Sequence, residues 1–178
     1  MSVRKSPQGR GRAYIRVSDA GLDGDDRDVL KAMRLVFQTF ANPASQGWTL
    51  GLTVVRGSFA HRDAGEVFHA IVGVIDALRR ARKSGFHFTN PDCANCSQYL
   101  CDDERLLMGS LTACREGRRS VSHANALLLC EGNDTSALLN SLAELARLMA
   151  VQPDASTQLS VGNAKPSAAK KSMTWRLN

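Results

Sequence analysis

Three of the five cysteines in this 178-residue chain lie within nine residues of one another, at positions 93, 96 and 101. A thiolate sulfur is soft and negatively charged, and a Cys-x2-Cys pair in a tight turn lets two sulfurs converge on one zinc or iron ion. Cys93 and Cys96 have this spacing. The sequence therefore predicts them as the first two ligands of a metal site.

Further ligands for such a site lie nearby in the sequence. Cys101 can supply a third ligand, and His87 or Cys114 a fourth. The predicted set is Cys93, Cys96, Cys101 and His87, with zinc ahead of iron as the bound ion. An iron–sulfur cluster held by the three clustered cysteines and Cys114 is the alternative. The spacing from His87 to Cys93 follows no standard zinc motif.

The same cysteines also have structural explanations. Free cysteine is among the most buried residue types and packs as a small hydrophobe. Cys114 and Cys130 fall on apolar helical stripes, and Cys101 stands where Ser or Thr would cap a helix. Cys93 and Cys96 could equally be plain thiols or form a reversible disulfide. A thioredoxin-type site is disfavoured, because the helical pattern offers no βαβ unit.

Other catalytic signatures are absent from the sequence. It contains no HExxH, GxGxxG, P-loop or GxSxG element. The sequence therefore favours a binding protein over an enzyme. The competing hypothesis is a redox or metal-dependent enzyme that uses the same thiolates, and it predicts an open coordination position and a pocket lined by His87 or His123.

The net charge of +6 belongs to the two ends of the chain. Residues 1–13 carry four net positive charges and residues 151–178 carry three, which leaves about −1 for residues 14–150. Both ends are poor in large apolar groups, so they are predicted to be disordered basic tails. Such tails can hold nucleic acid in a salt-dependent way, which is a third functional hypothesis.

A basic run follows the third predicted helix and is the best candidate anion site within the folded part: Arg79, Arg80, Arg82 and Lys83. Cations at a helix C-terminus are also favoured by the helix dipole. Gly85 stands where a C-terminal cap is expected. The run therefore has a sufficient structural explanation as well.

Helical periodicity dominates the segments that must position these residues. Apolar side chains recur at i, i+3, i+4 and i+7 in five segments, which predicts one buried face on each. The segments span residues 29–40, 67–78, 107–114, 121–128 and 138–149.

Three local predictions complete the pattern. In the segment 121–128 the predicted buried face consists of Val121, Ala124, Leu127 and Leu128. Residues 45–60 fit a strand or a helix, and a helix is predicted because the neighbouring segments are helical. Residues 14–17 fit a short strand or an arm packed on the domain.

The predicted fold class is all-α, a single-domain compact bundle of about six helices. The predicted boundaries are a basic tail at 1–13, a helical domain at 14–152 and a second basic tail at 153–178. No apolar run reaches the roughly 18 to 20 residues of a membrane span, and no apolar signal-peptide core follows the N-terminal basic residues. The odd cysteine count fits a reducing compartment, so the cytoplasm is the predicted location.

Three stretches of the sequence resemble small all-helical bacterial proteins, of the proteobacterial kind, that have no assigned function. These are Phe88 to Cys96, Asp103 to Arg105 and Ala124 to Gly132, and the likeness spans residues 26–150. The resemblance implies a helical fold and a bacterial source, and it transfers no site residue. The function expected overall is that of a cytoplasmic accessory protein that binds a protein partner in the first place and nucleic acid in the second.

Overall fold

The computed structural model describes residues 14–60 and 63–150. Within these residues the chain forms six α-helices and one two-stranded antiparallel ribbon. The strands are β1 (Ile15–Arg16) and β2 (Tyr99–Leu100), and Ile15 lies opposite Leu100. The helices are α1 (Gly24–Ala41), α2 (Gly47–Ser58), α3 (Ala64–Ala81), α4 (Asp102–Arg115), α5 (Arg119–Leu129) and α6 (Ser136–Ala150). The all-α prediction is confirmed.

The core lies where α1, α3, α4 and α6 turn their apolar faces toward one another. The faces predicted for residues 67–78 and 138–149 are buried as expected, and α1 is buried from Val29 to Phe37 with Phe40 at the edge. The largest fully buried side chains include Phe37, Phe59, Met33, Ile71, Leu111 and Leu142. These faces form one continuous apolar core.

Carboxylates start two of the longest helices. Asp23 accepts a hydrogen bond from the Asp26 backbone N–H at 2.7 Å, and Asp63 accepts from the backbone N–H groups of Gly65 and Glu66. Each carboxylate satisfies donors that the first helical turn leaves unpaired and faces the positive end of the helix dipole. Asp23 and Asp63 therefore act as helix caps. Arg115 at the end of α4 also pairs with Asp23 at 2.9 Å, which ties the two helices together.

Glycine ends two helices and fails to end a third. Gly117 and Gly132 have φ of 71° and 78°, in the left-handed region where a side chain is strained. The prediction that Gly85 caps α3 is wrong. The helix ends at Ala81, where Arg82 has extended backbone angles. The Arg82 side chain bonds to Asp103 of α4 and to the Leu129 oxygen of α5.

The ambiguous segment 45–60 is the helix α2. It crosses α1 at Gly47, where an added Cβ would lie 2.1 Å from the backbone oxygen of Leu35. A side chain at this position would collide with the α1 backbone, so the close crossing depends on glycine. Residues 14–17, whose sequence fits a short strand or a packed arm, contain strand β1.

The buried face predicted for α5 is wrong. Val121, Leu127 and Leu128 are 39%, 43% and 65% exposed, and Ala124 is exposed as well. The helix is instead buried through Ser122, Ala126 and Leu129. It lies against α4 through the polar Ser122, whose backbone oxygen accepts a 2.9 Å hydrogen bond from the Ser110 hydroxyl. With Ser122, Ala126 and Leu129 on the buried side, the larger apolar side chains face outward.

The predicted basic tails, residues 1–13 and 153–178, lie outside the described residues. Within the part that is described, no helix is long and apolar enough to cross a membrane.

Candidate functional site: a dithiol turn on a buried ionic platform

The Cys93–Cys96 turn sits in the ordered connection between α3 and α4. The Cys93 backbone N–H donates to the Asn90 oxygen at 3.3 Å, and the Cys93 oxygen accepts from Ser97 N–H at 2.9 Å. These bonds fold the chain into successive turns that continue into a single 3-10 turn, Cys96–Gln98, and then into β2. Both cysteines are partly exposed.

The two sulfurs of this turn are neighbours. The Cys96 backbone N–H donates to Cys93 Sγ at 3.3 Å, and the Cys96 thiol also hydrogen-bonds to the Cys93 sulfur. The thiol hydrogen bond is the main reason that the pKa of Cys93 lies below its usual value, with the backbone bond adding to it. Cys93 therefore ionises more readily than an ordinary cysteine, which suits it to metal ligation or nucleophilic attack.

Cys101 is built into the structure differently. It is the N-cap residue of α4, and its thiol donates a 3.1 Å hydrogen bond to the His87 backbone oxygen. Burial raises the pKa of the Cys101 thiol strongly, and the nearby carboxylate of Glu104 adds to the rise. Cys101 thus stays protonated where Cys93 ionises.

His87 is also occupied. Its ring Nδ1 lies 3.1 Å from a carboxylate oxygen of Asp103, and its backbone N–H donates to the same oxygen at 2.8 Å. The side chain is 42% exposed at the surface of the connection. One acid therefore fixes both the backbone and the ring of His87.

The predicted four-ligand set is not assembled. In the part of the chain that the structure describes, no three or more His, Cys, Asp or Glu side chains are grouped so that they could hold a metal ion. Cys93 and Cys96 are brought together, whereas the Cys101 thiol is bonded to a backbone carbonyl and the His87 ring to a carboxylate. The arrangement is a two-sulfur site. Cys114, the alternative fourth ligand, hydrogen-bonds to the Ser122 hydroxyl between α4 and α5.

A buried ion pair holds the connection in place. Arg34 of α1 and Glu104 of α4 form a bidentate pair, with nitrogen–oxygen distances of 2.7 and 3.0 Å. Both side chains are almost fully buried, at 5% and 2% exposure. A buried pair of this kind needs further hydrogen bonds to offset the loss of hydration.

The connection itself supplies those bonds. Arg34 donates to the backbone oxygens of Ser97 and Tyr99, each at 2.7 Å. Glu104 accepts from the backbone N–H groups of Thr89 and Cys101, both at 3.0 Å. The ion pair thereby binds the backbone on both sides of the Cys93–Cys96 turn, which we call the dithiol turn. We call these two side chains and the four backbone groups they bind the ionic platform.

Apolar packing and one further polar contact complete the support. The Phe37 ring of α1 stacks on Phe86 and Phe88, with centroids 4.4 and 5.6 Å apart. Gln38, the next residue of α1, hydrogen-bonds to Asp92 beside Cys93. Helix α1 therefore supports the connection through the stacked rings and through the Gln38 amide.

The residues of the predicted anion site have separate partners. Arg79 lies over the Phe40 ring at 4.3 Å, and Arg80 pairs with Asp76 one helical turn earlier. Arg82 is turned inward, with its side chain 8% exposed, and binds the Leu129 oxygen at 2.8 Å and Asp103 at 3.3 Å. Lys83 is exposed. Arg82 is thus neutralised within the fold, and anion binding by the run stays a prediction.

A cleft of about 500 Å³ lies between the start of α3 and the end of α6. Its polar lining comes from Asp63, Glu66, His69, Glu144 and Arg147. Neither His87 nor His123 lines it, although the enzyme hypothesis expects one of them in a pocket. Arg147 is paired with Glu144 through two hydrogen bonds at 2.9 and 2.7 Å, so the charges of the cleft are already partly matched.

Sequence reasoning missed the residues that hold the site. Arg34 stands inside the apolar face of α1, between Met33 and Leu35. A lone arginine at such a position is a recognisable signal for a buried ion pair, since buried charges are paired. The sequence offers several acids and cannot show that Glu104 is the partner.

Comparison of the chain with protein-family models, with curated proteins and with solved structures gave no match.

Proposed function

We propose that this protein is an accessory protein that acts by binding, and that the Cys93–Cys96 turn takes up a soft metal ion, zinc first and iron second, through two thiolates. The observation that supports this most directly is the hydrogen bond from Cys96 N–H to the Cys93 sulfur at 3.3 Å, together with the lowered pKa of Cys93. Thiolates are the form of cysteine that binds metal.

Two sulfurs leave a tetrahedral ion with two open positions. Cys101 and His87 are each held by other groups, so we expect those positions to be filled from outside the chain, by a partner protein or by small thiols and water. Such a site is suited to the transient capture of an ion or to bridging two proteins. It differs from a closed structural zinc site, which takes four ligands from its own chain.

The cytoplasm is the compartment that we propose for this activity. All five cysteines are among the described residues, and none of them is in a disulfide bond there. A reducing compartment keeps the pair in the dithiol form that binds metal.

The test is a zinc titration of the full chain against a chromophoric chelator, with matched cysteine variants. We expect about one zinc per chain for the wild type, loss of that binding in Cys93→Ser and in Cys96→Ser, and unchanged binding in Cys101→Ser. Loss in Cys101→Ser as well would favour the four-ligand set predicted from the sequence. A wild-type protein that takes up neither zinc nor iron would refute the metal proposal.

The lowered pKa of Cys93 also favours a second candidate, thiol–disulfide exchange. The Cys93 thiolate would attack a disulfide of the substrate, forming a mixed disulfide and releasing one substrate thiol. Cys96 would then attack Cys93, which releases the second thiol and leaves the Cys93–Cys96 disulfide.

Glutathione disulfide is a convenient probe of this exchange. In Cys96→Ser we expect one glutathione to remain on Cys93, and in the wild type an internal disulfide to replace it, both measured by mass spectrometry. Modification of Cys101 instead, or no reaction at all, would exclude this candidate.

A further inference from the structure

Helix α5 carries an apolar surface that its own chain does not cover. Val121, Ala124 and Leu128 are all exposed and follow one another at i, i+3 and i+7, so they form one stripe along the helix. Leu127, 43% exposed, lies at its edge. We call these four residues the α5 stripe. Scattered exposed leucines are ordinary, but a continuous stripe on one helix is typical of an interaction surface.

The charges at the two ends of α5 are opposite to those that an isolated helix favours. Arg118 and Arg119 stand at its N-terminus, where the helix dipole is positive. Glu131 and Asp134 follow its C-terminus, where the dipole is negative. All four residues are exposed. Arg118 also pairs with Glu116, and Glu131 lies 3.7 Å from Arg82. Among the described residues, Arg119 and Asp134 are the end charges without such an ion pair, and they suit a partner that brings the reverse order of charges.

We propose that the α5 stripe binds the α5 stripe of a second copy of this chain, with the two helices antiparallel. An antiparallel pair places the basic start of each helix beside the acidic end of the other. Val121, Ala124 and Leu128 then face their counterparts, and the small Ala124 near the middle lets the helices approach closely. A two-fold interface of this kind uses the same surface on both copies.

The size of the stripe predicts the strength of the contact. Eleven helical residues span about 16 Å, and a helix face is about 10 Å wide. The area of the stripe, which is the product of this length and width, is well below the roughly 800 Å² per partner that stable protein interfaces bury. We therefore expect a dimer that forms with rising concentration and weakens with rising salt, rather than a permanent one.

The experiment is sedimentation velocity of the full chain over a wide concentration range. We expect the wild type to shift from monomer to dimer, and Leu128→Lys to raise the dissociation constant about tenfold or more. The matched control is Leu50→Lys on α2, since Leu50 is also exposed, at 48%, but lies outside the stripe. We expect it to dimerise like the wild type. Circular dichroism establishes that both variants keep their helix content.

Charge reversal tests the orientation. Exchanging Arg118 and Arg119 for glutamate should weaken the dimer, because four acids would then face one another in an antiparallel pair. A wild type that stays monomeric at every concentration would overturn the proposal. So would a dimer that Leu128→Lys leaves intact, or one that Leu50→Lys disrupts equally.

Discussion

The Cys93–Cys96 turn and Cys101 belong to the same short connection, yet their sulfurs have opposite chemistry. Cys93 accepts hydrogen bonds from the thiol and backbone N–H of Cys96, and its pKa is lowered. Cys101 donates to a carbonyl beside two carboxylates, and its pKa is raised. Both residues are partly buried overall, but the Cys101 sulfur lies much deeper in the protein than the Cys93 sulfur. Burial of the Cys101 sulfur beside the Glu104 carboxylate, and the hydrogen bonds that Cys96 donates to the Cys93 sulfur, decide which thiol ionises more readily.

The ionic platform accounts for this division. Arg34 binds the two carbonyls that follow the dithiol turn, and Glu104 binds the backbone N–H groups of Thr89 and Cys101. Cys101 is thus part of the platform and Cys93 stands outside it. A deeply buried thiol and a thiol with a lowered pKa can lie in one short connection because one buried ion pair fixes where the chain turns inward.

The largest expected effect comes from breaking the platform. Arg34→Met leaves Glu104 buried without its partner, and we expect the free energy of unfolding to fall by about 3–5 kcal/mol. Denaturant titration measures this loss. The matched control is Arg80→Met, whose ion pair is exposed at 73% and 49%. Its expected change is within about 0.5 kcal/mol, and equal losses in the two variants would contradict the platform.

Thiol reactivity tests the comparison directly. Near neutral pH we expect iodoacetamide to label Cys93 at least about ten times faster than Cys101, because a pKa difference of one unit already changes the thiolate fraction about tenfold. Peptide mass spectrometry of quenched samples gives both rates. Equal rates would show that the hydrogen bonds of the turn do not control ionisation.

The raised pKa of Cys101 predicts a loss of stability in alkali. Above about pH 8.5 the unfolded chain releases the thiol proton while the native chain keeps it. The unfolded state then binds fewer protons, so the free energy of unfolding falls as pH rises, by up to about 1.4 kcal/mol per pH unit.

Cys101→Ser removes this term and keeps a residue that caps α4 well. Its stability should therefore fall less steeply than that of the wild type above about pH 8.5 and run parallel to it below. Denaturant titrations at a series of pH values measure both curves. Parallel curves throughout would mean that Cys101 titrates as an ordinary thiol.

The smallest effect is expected at the dithiol turn itself. In metal-free protein Cys93→Ser should change the free energy of unfolding by no more than about 0.5 kcal/mol, because the sulfur contributes little to the core. Cys130→Ser is the contrasting variant, since Cys130 is fully buried, and burying a hydroxyl there should cost about 1–3 kcal/mol. With zinc bound, Cys93→Ser should also lose the stabilisation that the ion provides. Thermal scans with and without zinc separate the two contributions.

The sequence alone determined the helices and most of their buried faces. Helical periodicity is a local feature, readable within one or two turns, and it predicts α1, α3, α4 and α6 correctly. The sequence also singles out the Cys93–Cys96 pair, because a short turn brings those two sulfurs together whatever surrounds it. The pattern of residues 45–60 fits a strand or a helix, and only the helical neighbours of this segment favour the helix that the structure has.

Tertiary structure decided everything that depends on which element packs against which. Cys101 and His87 lie close enough in the sequence to complete a metal site, but the Cys101 thiol donates to the His87 backbone oxygen and the His87 ring pairs with Asp103 instead. The apolar stripe on α5 faces outward, because the helix is buried through Ser122, Ala126 and Leu129 on its other side. Arg34 finds Glu104 seventy residues away. Periodicity and spacing report what a side chain can do within its own segment, whereas its partner is set by long-range packing that no local pattern contains.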